Sequence, residues 1–289
     1  MVTIATRTRL NGGTTMRICD ASLFVDVIGQ GSPLVLMHGG PGADHWSMKP
    51  FERLADRFTV IFYDHRCNGR SVGAPVESMT WENLTADADA IRERLGFETW
   101  SVLGHSFGGQ VALEYALRYP ANLSRLVLMD TGGDSWWPQV NAPALLARRG
   151  FGPSKVRLAR RFYNGRTASW EFLPTLMRLG GAYDPHTSFR ALLRQMMAER
   201  RAKPRPGAHH FAVTGLTNGW SVMDRLGDIE APTLVIAGRE DFLFPPEHQE
   251  QLAAGIPNGR LRIISRAGHN PHDERTDEVM TAVAAFLSG

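Results

Sequence analysis

The sequence predicts an α/β fold: a mostly parallel sheet flanked by helices, with a helical cap inserted between two late strands. Three observations carry this. Short apolar runs alternate with longer amphipathic stretches along most of the chain. Most of those runs are near-continuous, as in strands covered on both faces. From Thr131 to Ala231, about a hundred residues contain no convincing strand, which is too long for a loop.

Strands are expected at 23–28, 34–37, 60–63, 101–104, 126–129, 233–237 and 261–264. The last five are the near-continuous ones. Helical patterns cover 81–95, 106–119, 247–254 and 276–287. Strand followed by helix, repeated, implies right-handed crossovers between parallel strands. Residues 1–130 and 232–289 therefore form the sheet domain, and 131–231 the cap. The cap is Arg-rich and helix-like, interrupted by Pro143, Gly150, Pro153, Pro174, Gly180, Pro204 and Pro206.

The bulk numbers agree with one globular unit. The chain has 289 residues, 43% hydrophobic and 21% charged, with a formal charge of +3. That suffices for a large core. A mild positive excess without a reader motif does not point to nucleic acid. Cys19 and Cys67 lack metal-type spacing and read as reduced thiols. Met1 to Arg17 contains no apolar core of a secretory signal, and no apolar run reaches the ~20 residues that span a bilayer. The expectation is a cytoplasmic protein acting on a small-molecule or short peptide-like substrate, with no membrane, metal or organic cofactor.

Gly104-His105-Ser106-Phe107-Gly108 follows an apolar strand and opens a helix. It matches G-x-S-x-G in the strand–turn–helix context that a nucleophile elbow requires, and so resembles the elbow of α/β hydrolases. The turn is tight enough to demand glycine on both sides. It presents Ser106 at the strand's C-terminal end, and the N–H of Phe107 faces a developing oxyanion. His38-Gly39-Gly40-Pro41-Gly42 follows an earlier strand, and Gly40 is its expected oxyanion donor.

A serine hydroxyl needs a base, and the base needs an orienting carboxylate. Asp241 follows the strand at 233–237, and His269 follows the strand at 261–264. The order Ser106, Asp241, His269 suits the fold. Asp130 also ends a strand and is the second candidate for the acid. Glu240 adjoins Asp241. His272 reads as a surface or supporting group, and His38 and His105 as fixed by their turns. The stretch from Tyr63 to Ser71 is expected to pack beneath the oxyanion loop.

His-Gly-Gly-Pro-Gly, then Asp-x-Arg-x-x-Gly-Arg-Ser from Asp64, then Gly-His-Ser-x-Gly-Gly, resemble the proline iminopeptidases and their tricorn-interacting aminopeptidase relatives. The resemblance covers 34–131 and 233–289, and resumes at 211–220. It implies an aminopeptidase that holds the substrate's free amine with acidic side chains. At those positions this chain carries His210 and Phe242. The region 131–230 contains 15 Lys and Arg against 7 Asp and Glu, a net of +8, which is poor company for an ammonium. Glu171, Asp184 and Glu199 are its isolated mid-cap acids.

The sequence therefore predicts a serine hydrolase that cleaves a small ester, lactone or amide through an acyl-enzyme. Substrate contacts are expected from Gly39, His105, His210, Trp220 and Phe242. An aromatic acyl pocket could draw on Trp136, Trp137, Phe151, Trp170, Phe172 and Phe244. The rivals are a proline iminopeptidase-type enzyme, a cofactor-free C–C hydrolase or perhydrolase, and a binding protein on a hydrolase scaffold. Dehalogenase and epoxide hydrolase chemistry needs a carboxylate where Ser106 stands.

Overall fold

The computed structural model describes residues 12–187 and 202–289. Glu199 and most of the N-terminal segment read above lie outside them. Eight strands form one sheet: β1 (Thr14–Ile18), β2 (Ala21–Gly29), β3 (Ser32–Met37), β4 (Phe58–Tyr63), β5 (Trp100–His105), β6 (Leu123–Met129), β7 (Thr233–Gly238) and β8 (Gly259–Ile264). Their spatial order is β1-β2-β4-β3-β5-β6-β7-β8. β1 and β2 pair antiparallel with each other, and β2 with β4. The pairs from β4 through β8 are parallel.

The period of two along a strand sends successive side chains to opposite faces. Val35 and Met37 join one core with Val102, Leu126 and Leu128. Leu34 and Leu36 join the other with Leu103, Val127 and Met129. The first face is covered by α1 (Trp81–Arg94), α2 (Phe107–Arg118) and α7 (Pro246–Gly255). The second is covered by the 3-10 segment His45–Asp56 and by α9 (Thr276–Ser288). Thr80 caps α1 by accepting the N–H of Asn83.

Two expectations need correcting. β1 is a strand the sequence reading passed over. It alternates buried and exposed, as an edge strand with one wet face does. β8 was expected to be covered on both faces, but it is the opposite edge: Arg260 and Arg262 are exposed, and only Ile264 is fully buried.

Between β6 and β7 the described residues form α3 (Ala142–Arg148), α4 (Pro153–Tyr163), α5 (Phe172–Tyr183) and α6 (Pro206–Phe211). The one strand-like feature there is an isolated bridge, Asp134 to Ser221. α3, α4 and α5 share a third apolar cluster with Phe242, Leu243 and Phe244 from the loop after β7, while Ala208 of α6 joins the first core. Through that cluster they sit over the C-terminal end of the sheet. The last short helix, α8 (Pro271–Glu274), follows the loop after β8.

Candidate active site

β5 ends at His105 and α2 begins at Phe107, so Ser106 alone makes the turn. It holds φ +53°, a conformation unusual for a residue with a side chain and sustained only by its surroundings. Its N–H donates to the Met129 carbonyl at 3.0 Å, and its carbonyl accepts from the Gly109 N–H and the Thr131 hydroxyl. A Cβ on Gly108 would lie 2.0 Å from the Met37 carbonyl oxygen, and one on Gly104 would lie 2.4 Å from the Gly108 oxygen. Both glycines are therefore steric requirements of the turn. Ser106 is the one residue from Trp100 to Ala116 that is not buried.

Ser106 Oγ lies 3.0 Å from His269 Nε2, and His269 Nδ1 lies 2.9 Å from Asp241 Oδ2. In this geometry Nδ1–H donates to the carboxylate, and Nε2 accepts from the serine hydroxyl. Asp241 is fully buried, and its other oxygen accepts the Leu243 N–H at 2.8 Å. Its backbone carbonyl, with that of Glu240, accepts from the Arg149 guanidinium at the end of α3. The rivals fall elsewhere. Glu240 turns its carboxylate to His186. Asp130 is buried with Oδ1 on the Gly238 N–H. Burial, and then the charge of Asp241, push its carboxyl well above the usual range.

The loop from His38 to Gly42 lies against the elbow. Gly40 has φ +91°, and a Cβ there would press 2.6 Å from that of Ala43. Phe107 is the first residue of α2, so its N–H has no acceptor within the helix. Beneath the loop lies the Tyr63–Ser71 stretch, as expected. Asn68 Oδ1 accepts the Gly42 N–H at 2.6 Å, and Asp64 accepts the N–H and ring Nδ1–H of His45. His38 donates Nδ1–H to the Gly39 carbonyl and accepts the His65 N–H at Nε2.

The expected substrate contacts separate. Gly39 borders the nucleophile: a Cβ there would lie 3.2 Å from that of Ser106. His105 faces inward instead, bonding the His269 carbonyl through Nε2 at 2.9 Å, and burial depresses its pKa well below the ordinary value. Trp220 is 9% exposed, and its indole N–H is bonded to Glu114, so it belongs to the sheet core. Phe242 is fully buried, edge-on to Tyr183. His210 is exposed. Its neighbour His209 is buried, stacked on Phe162, and lies against Gly42. One residue along a helix turns the side chain by about 100°, which accounts for the miss.

Other expectations also move. Trp170 is 78% exposed and lines nothing inside, and Trp136 is half exposed. Phe244 stands 6.1 Å from the His269 ring. His272, read as a surface or supporting group, is fully buried between Phe51 and His105, in keeping with the second of these. Asp184 is engaged by the Asn270 side chain, and Glu171 by Arg161. Tyr183, which no sequence signal marked, packs edge-on to His269 at 5.4 Å and takes the His269 N–H on its carbonyl. A cavity of about 420 Å³ between α3 and α7, lined by Trp137, Arg148, Arg149, Arg239, Glu247 and Glu250, includes no member of the Ser106 cluster.

Among the described residues no group of three or more His, Cys, Asp or Glu could hold a metal ion. No helix among them is long and apolar enough to cross a membrane.

Known proteins agree with this architecture. Residues 32–276 match the family described as alpha/beta hydrolase fold. A 2-hydroxy-6-oxo-6-phenylhexa-2,4-dienoate hydrolase of Comamonas testosteroni is 29% identical over 93% of this chain and 92% of its own. A proline iminopeptidase of Thermoplasma volcanium is 28% identical over 88% of each. The crystal structure of the Mycobacterium smegmatis proline iminopeptidase superposes with a TM-score of 0.76 at 27% identity, covering 96% of this chain and 98% of that one. This chain belongs to the α/β-hydrolase fold family.

Proposed function

We propose that this α/β hydrolase is a serine hydrolase that cleaves a small ester, lactone or amide through an acyl-enzyme on Ser106. One observation carries the reading. The hydroxyl, the imidazole and a buried carboxylate form an unbroken relay, with spacings of 3.0 and 2.9 Å, at the one point of a strained strand-to-helix turn that is not fully buried. His269 takes the serine proton as Oγ attacks the carbonyl carbon. Asp241 holds the tautomer and stabilises the imidazolium. The N–H groups of Gly40 and Phe107 receive the oxyanion. His269 then protonates the leaving group, and water activated by the same nitrogen releases the acid.

The acyl side would lie among Tyr183, Phe244 and the inserted helices, which form a cap over the site. Glu171 and Asp184 are both engaged elsewhere, which weighs against capture of a free amine. A second reading has its own support. The Comamonas relative is named for a dienoate substrate, and the insertion's net charge of +8 suits an acid-bearing substrate. In that reading the same relay cleaves a C–C bond next to a ketone.

A substrate panel decides between them. Short acyl esters, a proline arylamide and a 6-oxo-dienoate are each assayed with the wild type and with Ser106→Ala. Ester turnover lost in the variant supports the first reading. Preference for the dienoate favours the second. Preference for the arylamide overturns both in favour of an aminopeptidase.

A further inference from the structure

The imidazole of His269 is held by Asp241 and Ser106, but its backbone is held by the insertion. The end of α5 meets the loop after β8 residue by residue. The Tyr183 carbonyl accepts the His269 N–H at 2.8 Å. Asp184 Oδ1 accepts the Asn270 side-chain N–H at 2.8 Å. The His186 N–H donates to Glu274 Oε1 at 2.6 Å, while Glu274 Oε2 accepts the Gly268 N–H at 2.6 Å. The approach is close: a Cβ on Gly268 would lie 2.2 Å from the Tyr183 oxygen. Asp184 is itself buried.

We propose that Asp184, acting through Asn270, is a positioning residue for His269, so that the inserted helices set the base as well as cover the site. The inference rests on His269 being the general base. Asn270 adjoins His269, and α8 begins at the next residue. A side-chain bond at Asn270 therefore fixes the direction in which the chain leaves the histidine. Without it, the His269 backbone is held by the Tyr183 carbonyl on its N–H and by His105 Nε2 on its carbonyl, and the chain that leaves it toward α8 is free to tilt the ring. A reacting geometry displaced by about 1 Å loses on the order of a hundredfold in rate. The bonds to Glu274 restrain Gly268, on the preceding side of the base, and His186; the Asp184 bond restrains the residue that follows it.

The test is a double-mutant cycle with Asp184→Ala, Asn270→Ala and the pair. The readouts are the second-order rate of fluorophosphonate labelling and the downfield resonance of the His269 Nδ1 proton, assigned by its absence in His269→Ala. The proposal expects each single variant to label about tenfold to a hundredfold more slowly. The pair should be little worse than either, because the two groups act as one unit. The downfield resonance should weaken or vanish. Asp184→Asn keeps an acceptor oxygen and should recover most of the rate.

Labelling of Asp184→Ala at the wild-type rate overturns the proposal. So do additive losses in the pair, or a resonance unchanged in every variant. If Asp184→Ala does not fold, Asp184→Asn against Asn270→Asp carries the test, since only the latter opposes two carboxylates. A well-folded wild type that does not label defeats the serine-hydrolase reading alone, and the proton resonance still reports whether Asp184 holds the His269–Asp241 bond.

Discussion

Asp130 Oδ1 accepts the backbone N–H of Gly238 at 2.7 Å, at the foot of the loop that carries Asp241. Two carboxyl groups thus leave neighbouring strands, and they divide the work. Asp241 meets the imidazole, and Asp130 ties β6 to the end of β7. A carboxyl this deeply buried beside another charge is favoured in its protonated form, and in that form it bonds without adding a second negative charge.

Asp241→Asn should therefore lower acyl transfer by about 10⁴-fold, whereas Asp130→Asn, which keeps an acceptor for Gly238, should retain most of it. The same variant reports on stability. Native Asp130 holds its proton where the unfolded chain has lost it, so the native state binds more protons and stability falls as pH rises above the ordinary aspartate range. Asparagine removes that decline. Thermal unfolding from about pH 5 to pH 8 should show Asp130→Asn gaining on the wild type as pH increases. Loss of activity equal to that of Asp241→Asn would make Asp130 the working acid.

The buried histidines set the opposite slope at lower pH. Burial holds His209 down to about 4 against an ordinary 6.5, and burial likewise holds His248 at about 4. Between those values the unfolded chain gains a proton that the native ring refuses. Stability contributed by each is present above 6.5 and is lost as pH falls toward 4, by at most ~3 kcal/mol per group. His209→Phe, which keeps an aromatic ring against Phe162, should flatten the acid limb of a denaturation profile. An unchanged limb would mean that His209 titrates normally.

Gly108→Ala tests the packing of the elbow on β3. Its methyl would sit 2.0 Å from the Met37 carbonyl oxygen, and backbone cannot yield cheaply. α2 must lift, carrying the Phe107 N–H away. We expect a loss of ~2 kcal/mol or more in denaturant unfolding, together with a drop in labelling rate. Gly181→Ala, on an exposed turn of α5 with nothing within 4 Å of the new methyl, should instead stabilise by ~0.5–1 kcal/mol.

How much of this was legible in the sequence follows from the range of the interactions. The central strands announce themselves because both faces are buried, so β3 to β7 read as apolar runs. β1 does not, since an edge strand with one wet face is nearly indistinguishable from loop; β8 reads as a strand, but the exposed Arg260 and Arg262 make it an edge and not one covered on both faces. The elbow is local in sequence and was read at once. Strand order favours Asp241 as the partner of His269 and leaves Asp130 as the second candidate; the 2.9 Å contact between Asp241 and His269 separates the two. The contacts from the segment between β6 and β7 were not legible: Tyr183, Asp184 and Arg149 reach the Asp241 and His269 loops across the fold from helices whose docking has no local signature. His209 and His210 differ only by helix phase, which a six-residue helix does not reveal by periodicity. His105 looks functional because it sits beside the nucleophile, yet the turn that exposes Ser106 drives its predecessor inward.

The most direct test of the central claim is the intact mass of the protein after incubation with a fluorophosphonate, for the wild type, Ser106→Ala and His269→Ala. The account predicts a single adduct on the wild type, none on Ser106→Ala, and labelling slowed by several orders of magnitude on His269→Ala. A wild type that stays unlabelled while folded, or an adduct that persists in Ser106→Ala, would contradict it.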